Sequence, residues 1–168
     1  MSKPSKKNVV TKRNFLSESE LAALLQYCRA PFAPWLETSP DDPWNNRTIP
    51  HNLARSDIRP MLRDIRDRIV AFVSNAYQLD RALYSDSFSI VRWQFGDYQA
   101  PHADSENPDG NPHPYPWRNF GSIIYLNEDF TGGELEFPEL KLKPETPPRT
   151  LAFFPGTKDY MHAVSQIT

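Results

Sequence analysis

The sequence is short of cysteine. Cys28 stands alone in 168 residues, so no intrachain disulfide can form and no zinc site built from several thiolates is open to it. No run reaches the roughly 18 apolar residues of a membrane-spanning helix. The first ten residues, Met-Ser-Lys-Pro-Ser-Lys-Lys-Asn-Val-Val, contain no apolar stretch of signal-peptide length. A soluble, cytoplasmic protein with no membrane partner is the expectation. Neither sign of charge dominates either: 19 Lys and Arg against 21 Asp and Glu leave a formal net charge of −2. That balance argues against nucleic acid held through its phosphates. Internal repeats are absent, and the residues give no reading of oligomeric state.

What the chain does have is proline and aromatics. Seventeen prolines are about twice the usual share, which predicts many rigid turns and few long regular elements. The length fits one domain, residues 1–168. Residues 1–13 carry five Lys or Arg and little to pack, and read as a flexible basic tail. Residues 14–83 read as helical support. Ser17 with Glu20 forms a capping box, Leu16 and Leu21 a hydrophobic staple, and the helix runs to Pro31 with Cys28 on its apolar side. Residues 31–55 are irregular, and His51 there has no partner at ligand spacing. A second helix, with Pro60 early in it, carries the stripe Ile58, Leu62, Ile65, Ile69, Phe72 and Ala76.

From residue 84 the period changes. Residues 87–95 read as a strand that turns at Gly96-Asp97. After a Pro-rich loop at 105–117, strands are expected over Phe120–Asn127, Glu134–Phe137, Thr150–Phe154 and Tyr160–Ile167. Short strands broken by Gly and Pro predict an antiparallel sandwich or barrel over 84–168.

The chemistry concentrates at His102-Ala103-Asp104. In an extended chain, i and i+2 point to the same side, so one imidazole and one carboxylate reach a common point. His162 supplies a third donor, with His113 in the Pro-rich loop as its rival. Two imidazoles and one carboxylate make the facial triad that leaves metal positions open for a co-substrate and dioxygen.

The run Gly96-Asp-Tyr-Gln-Ala-Pro-His102-Ala-Asp104 resembles the metal-binding strand of the Fe(II)- and 2-oxoglutarate-dependent oxygenases, in particular the prolyl 4-hydroxylase-like branch. Ser122-Ile-Ile-Tyr-Leu-Asn127 with Phe130-Thr-Gly-Gly-Glu-Leu-Glu-Phe137 is similar to the family's next block. Lys143-Pro, then Thr150-Leu-Ala-Phe-Phe-Pro155 and His162-Ala-Val, is similar to the block ending in the distal histidine. The resemblance spans residues 88–168. It implies a mainly β fold, a cupin-like double-stranded β-helix or jelly-roll with flanking N-terminal helices. It implies His102, Asp104 and His162 as iron ligands and catalytic residues. It implies 2-oxoglutarate chelated to the metal, with Tyr125 at its far carboxylate and Ile123, Leu135 and Trp93 lining its pocket. Dioxygen is the oxidant and ascorbate a candidate reductant.

The activity so implied is hydroxylation of an unactivated C–H bond, with a prolyl residue in a peptide or protein as the first substrate. The alternatives are a free amino acid, another small metabolite or a nucleobase, or a jelly-roll binding module without catalysis. Loop 105–117 and residues 44–47 are expected to form the substrate rim. Two departures stand out. Trp93 occupies a position near which the family carries tyrosine. The family also sets an Arg or Lys nine or ten residues beyond the distal histidine. Here that is position 171 or 172, so the working protein is expected to continue past Thr168. Arg92, Lys141 and Lys143 are the nearest substitutes.

Overall fold

A computed structural model describes residues 5–86, 88–109 and 111–168. The chain divides into two compact units, one of residues 1–17 and 94–168, the other of residues 18–93.

The first unit is built from two antiparallel three-stranded sheets. In one, β7 (Leu151–Pro155) is central, between β1 (Val10–Lys12) and β5 (Phe120–Ile124). The continuous apolar run Leu-Ala-Phe-Phe suits that place, since Leu151 through Phe154 are all buried and a strand covered on both sides needs no polar alternation. In the other, β8 (His162–Val164) is central, between β4 (Gln99–His102) and β6 (Leu135–Glu136). Leu135, Phe137, Ala152, Phe154 and Tyr160 form a core drawn from both sheets, with Val9, Ile123, Leu140 and Leu142 packed on it. Each large side chain there contributes roughly 1.5–3 kcal/mol by leaving water. Two sheets facing one another across such a core make the expected double-stranded β-helix.

The Gly132-Gly133 turn leads into β6. Both residues have positive φ, 73° and 69°, and a Cβ on Gly132 would fall 1.8 Å from the Gln166 carbonyl oxygen. Only glycine meets both demands.

The second unit holds α1 (Glu18–Arg29), α2 (Arg59–Ala76) and the antiparallel pair β2 (Thr48–Pro50) and β3 (Ser89–Val91). Pro60 stands in the first turn of α2, where its missing N–H has no intrahelical partner to lose. Glu20 of α1 is ion-paired with Arg68 of α2. No helix among the described residues is long and apolar enough to cross a membrane.

Four expectations need correction. The basic tail is structured from Ser5 onward: Lys6–Asn8 make a 3₁₀ turn, and β1 pairs with β7 through Val10↔Phe153. Its charges are used locally, Lys6 Nζ donating to the Lys141 carbonyl at 3.1 Å and Arg13 pairing with Glu145. Of the strand read over 87–95, whose first residue Ser87 lies outside the described residues, the described part survives only as β3, and it pairs with β2 in the helical unit. The division between units therefore falls at 93/94 instead of 83/84. On α2 the buried stripe ends at Val73, while Ala76 is exposed and Phe72 half-buried. The step of four from Ile65 to Ile69 continues to Val73.

Candidate metal centre

His102 ends β4, and His162, which opens β8, is its cross-strand partner. Their rings lie 4.3 Å apart, centroid to centroid. Asp104 follows two residues after His102. Ala103 between them is buried, and the chain leaves the strand after His102 to bend at Asp104. Asp104 Oδ1 lies 4.0 Å from His102 Nε2 and 3.9 Å from His162 Nε2. Ligand atoms of all three residues fall within 4.8 Å of one another. That spacing is the kind at which one ion could be shared by all three.

Backbone contacts orient each donor. His102 Nδ1 lies 3.0 Å from the Ala100 carbonyl and His162 Nδ1 3.2 Å from the Tyr160 carbonyl. A carbonyl only accepts, so both Nδ1 atoms carry a proton, and both Nε2 atoms face Asp104. The Gly156 carbonyl accepts from the amides of Asp104 (2.9 Å) and Ser105 (3.0 Å) and from the Ser105 hydroxyl (3.0 Å). That clamp fixes the chain on which the carboxylate stands.

His162 is buried against Phe154 and Phe137, with ring centroids 4.5 and 6.0 Å away. Burial is the main cause that lowers its pKa from the ordinary histidine value, and the neighbouring His102 adds to it. Asp104 and the hydrogen bond to Tyr160 oppose the shift. The imidazole is held neutral, the form a metal needs. The donor set of two imidazoles and one carboxylate suits Fe(II).

His113 stays outside this trio. Its Nδ1 accepts from the Tyr115 amide at 3.1 Å, and its ring meets Tyr115 edge-on at 5.9 Å. Among the described residues the trio is the group found at ligand spacing.

The other expected site residues are distributed unevenly. Leu135 lies in the core between the sheets, and Ile123 packs against that core. Tyr125 follows β5, and its hydroxyl donates to the Gly133 carbonyl at 2.8 Å. Burial and the charge of Glu134 push its pKa up to about 12, so the phenol remains a donor at every working pH. Trp93 belongs to the other unit, edge-on to Trp44 at 5.7 Å. Of the substitute cations, Arg92 is also in that unit, donating to the Asn46 carbonyl at 2.7 Å and stacked 4.3 Å over Trp35. Lys143 is ion-paired to Glu136 at 2.6 Å.

Sequence reasoning passed over Gly121, Phe154 and Gly156, which surround Asp104. A signal existed for one of them. A glycine inside a strand-like apolar run marks a close approach, and Gly121 sits inside Phe120–Ile124.

No family model matches the chain. In sequence it is 28% identical over 130 residues to prolyl 3-hydroxylase 1 of Rattus norvegicus, a match taking in 64% of this chain and 18% of that protein. The human protein of the same name is 28% identical over 127 residues, 62% of this chain and 17% of its own. The chain thus spans less than a fifth of the relatives it matches. In structure it superposes on the viral collagen prolyl hydroxylase of Paramecium bursaria Chlorella virus-1, solved as a 2OG complex. The TM-score is 0.70 at 21% identity, covering 97% of this chain and 89% of that one. A Pseudomonas putida prolyl-4-hydroxylase gives a TM-score of 0.65 at 19% identity, covering 95% and 85%. The resemblance read in the sequence is borne out: the relatives are prolyl hydroxylases, and the fold is theirs.

Proposed function

We propose that residues 1–168 act as one Fe(II)- and 2-oxoglutarate-dependent dioxygenase domain that hydroxylates a prolyl residue in a peptide or protein. The observation that carries the reading is the convergence of His102 Nε2, His162 Nε2 and Asp104 Oδ1, each held by backbone contacts. Prolyl hydroxylation is supported by the sequence relatives and the fold neighbours, all named as prolyl hydroxylases. A cytoplasmic setting is kept within the proposal.

His102, Asp104 and His162 would hold the metal on one face. When bound, iron with 2-oxoglutarate supplies the oxidation, in which dioxygen is consumed, succinate and carbon dioxide leave and one oxygen atom reaches the substrate carbon. The protein's part is to bind, orient and exclude water. Phe137, Phe154 and Leu135 close the inner side of the site with apolar surface. Tyr125 offers its phenolic proton to the far carboxylate of 2-oxoglutarate, giving up the bond to Gly133 to do so. Loop 105–117, bearing exposed Tyr115 and Trp117, gates the substrate. Ascorbate is a candidate reductant.

The test is succinate release from 2-oxoglutarate with added Fe(II) under air, first without substrate and then across proline-containing peptides and free amino acids. The proposal predicts slow uncoupled release that rises with a proline peptide and a mass gain of one oxygen on that peptide. Stimulation by a free amino acid alone would replace the substrate. Absence of both release and metal binding would leave a binding module.

A further inference from the structure

Gly121 lies in β5 with Phe154 of β7 as its cross-strand partner. Its φ is not positive, so the backbone there does not demand glycine. The space does. A Cβ on Gly121 would stand 2.5 Å from Asp104 Oδ2, and 2.5 and 2.8 Å from Phe154 Cε2 and Cζ. The bare backbone leaves room there for both the carboxylate and the ring edge. The other oxygen of that carboxylate, Oδ1, faces the two imidazoles. The same Phe154 ring packs 4.5 Å from His162 and 5.0 Å from Phe137.

We propose that Gly121 and Phe154 form a positioning pair for the metal trio. Gly121 leaves room for the Asp104 carboxylate to turn Oδ1 toward the histidines, and Phe154 sets the ring of His162 from the same wedge. The main chain of Asp104 is clamped to the Gly156 carbonyl, so added bulk at 121 is absorbed by the carboxylate and the Phe154 ring. Either movement disturbs a metal ligand. The inference rests on the reading that His102, Asp104 and His162 hold a metal.

The experiment is Co(II) titration of the wild type, Gly121→Ala, Phe154→Leu and the double variant, followed by calorimetry and by the visible spectrum of the bound ion. Thermal melting of each metal-free protein runs alongside. Gly121→Ala is expected to bind Co(II) at least about tenfold more weakly with an altered spectrum. A shift in ligand geometry moves the spectrum, whereas a purely structural cost would move only the metal-free melting temperature. In the double variant the shorter leucine vacates the ring edge, and part of the affinity returns. Wild-type affinity and spectrum in Gly121→Ala overturn the inference. If Gly121→Ala fails to fold, Phe154→Leu decides: weaker binding with a changed spectrum supports the pair, and unchanged binding refutes it. A wild type that binds no Co(II) instead overturns the metal reading itself.

Discussion

His102 and His162 are partners across one pair of strands, yet their surroundings are opposite. His162 is on the central strand of its sheet, 6% exposed at the side chain, with aromatic rings packed on it. His102 is on the edge strand β4, 37% exposed. Both use a backbone carbonyl to fix the tautomer, so orientation is shared and only solvation differs. The difference teaches what each donor contributes. The deep histidine is held neutral by its burial, with its ring packed on Phe154 and its Nδ1 on the Tyr160 carbonyl. The open one leaves its ring within reach of solvent.

The comparison breaks most readily by truncating each histidine and offering the missing ring back. Either alanine variant should lose more than about a hundredfold in metal affinity, beyond the 10- to 100-fold typical of losing an outer-shell partner. Added imidazole should restore binding to His102→Ala, whose vacated position is open to solvent, and fail with His162→Ala. Equal rescue, followed by metal titration, would mean that the two sites are equally accessible.

A smaller effect is expected at Tyr125, another mostly buried polar group tied to a backbone carbonyl. On the proposed pose, Tyr125→Phe removes a hydrogen bond to the far carboxylate of 2-oxoglutarate, worth about 1.5–3 kcal/mol. The apparent constant for 2-oxoglutarate should rise roughly tenfold to a hundredfold, with metal affinity unchanged. An unmoved constant would leave the hydroxyl with only its contact to Gly133.

The smallest effect is on stability against pH. The folded pKa of His162 is lowered, so between it and the unfolded value of about 6.5 the unfolded chain binds a proton that the folded chain does not. Its stabilising contribution is full above pH 6.5 and is lost as pH falls through the folded value. For one proton the slope is at most about 1.4 kcal/mol per pH unit. Denaturant melts of metal-free protein should show this slope in the wild type and in His102→Ala, and a flatter profile in His162→Phe. The same slope in His162→Phe would assign it to another group.

The two histidines also differ in how well the sequence revealed them. His102 and Asp104 were legible because the His-x-Asp pattern is local, although the strand itself ends at His102. His162 had no local signal beyond its apolar neighbours and needed the order of the surrounding blocks. The helices were read from their stripes, and the Gly132-Gly133 turn from its composition. What stayed hidden depended on distant chain. The three residues of β1 are a strand only because β7 offers an edge, and β3 joins the helical unit only because β2 is there. The Gly156 clamp on Asp104 and the Gly121 wedge are likewise contacts between segments far apart in sequence.

The central claim is that His102, Asp104 and His162 hold one divalent metal. Its most direct test is anaerobic Fe(II) titration by calorimetry of the wild type, His162→Ala and His113→Ala. The account predicts one site per chain in the wild type, near-normal binding in His113→Ala and no tight binding in His162→Ala. Tight binding retained by His162→Ala and lost by His113→Ala would contradict it.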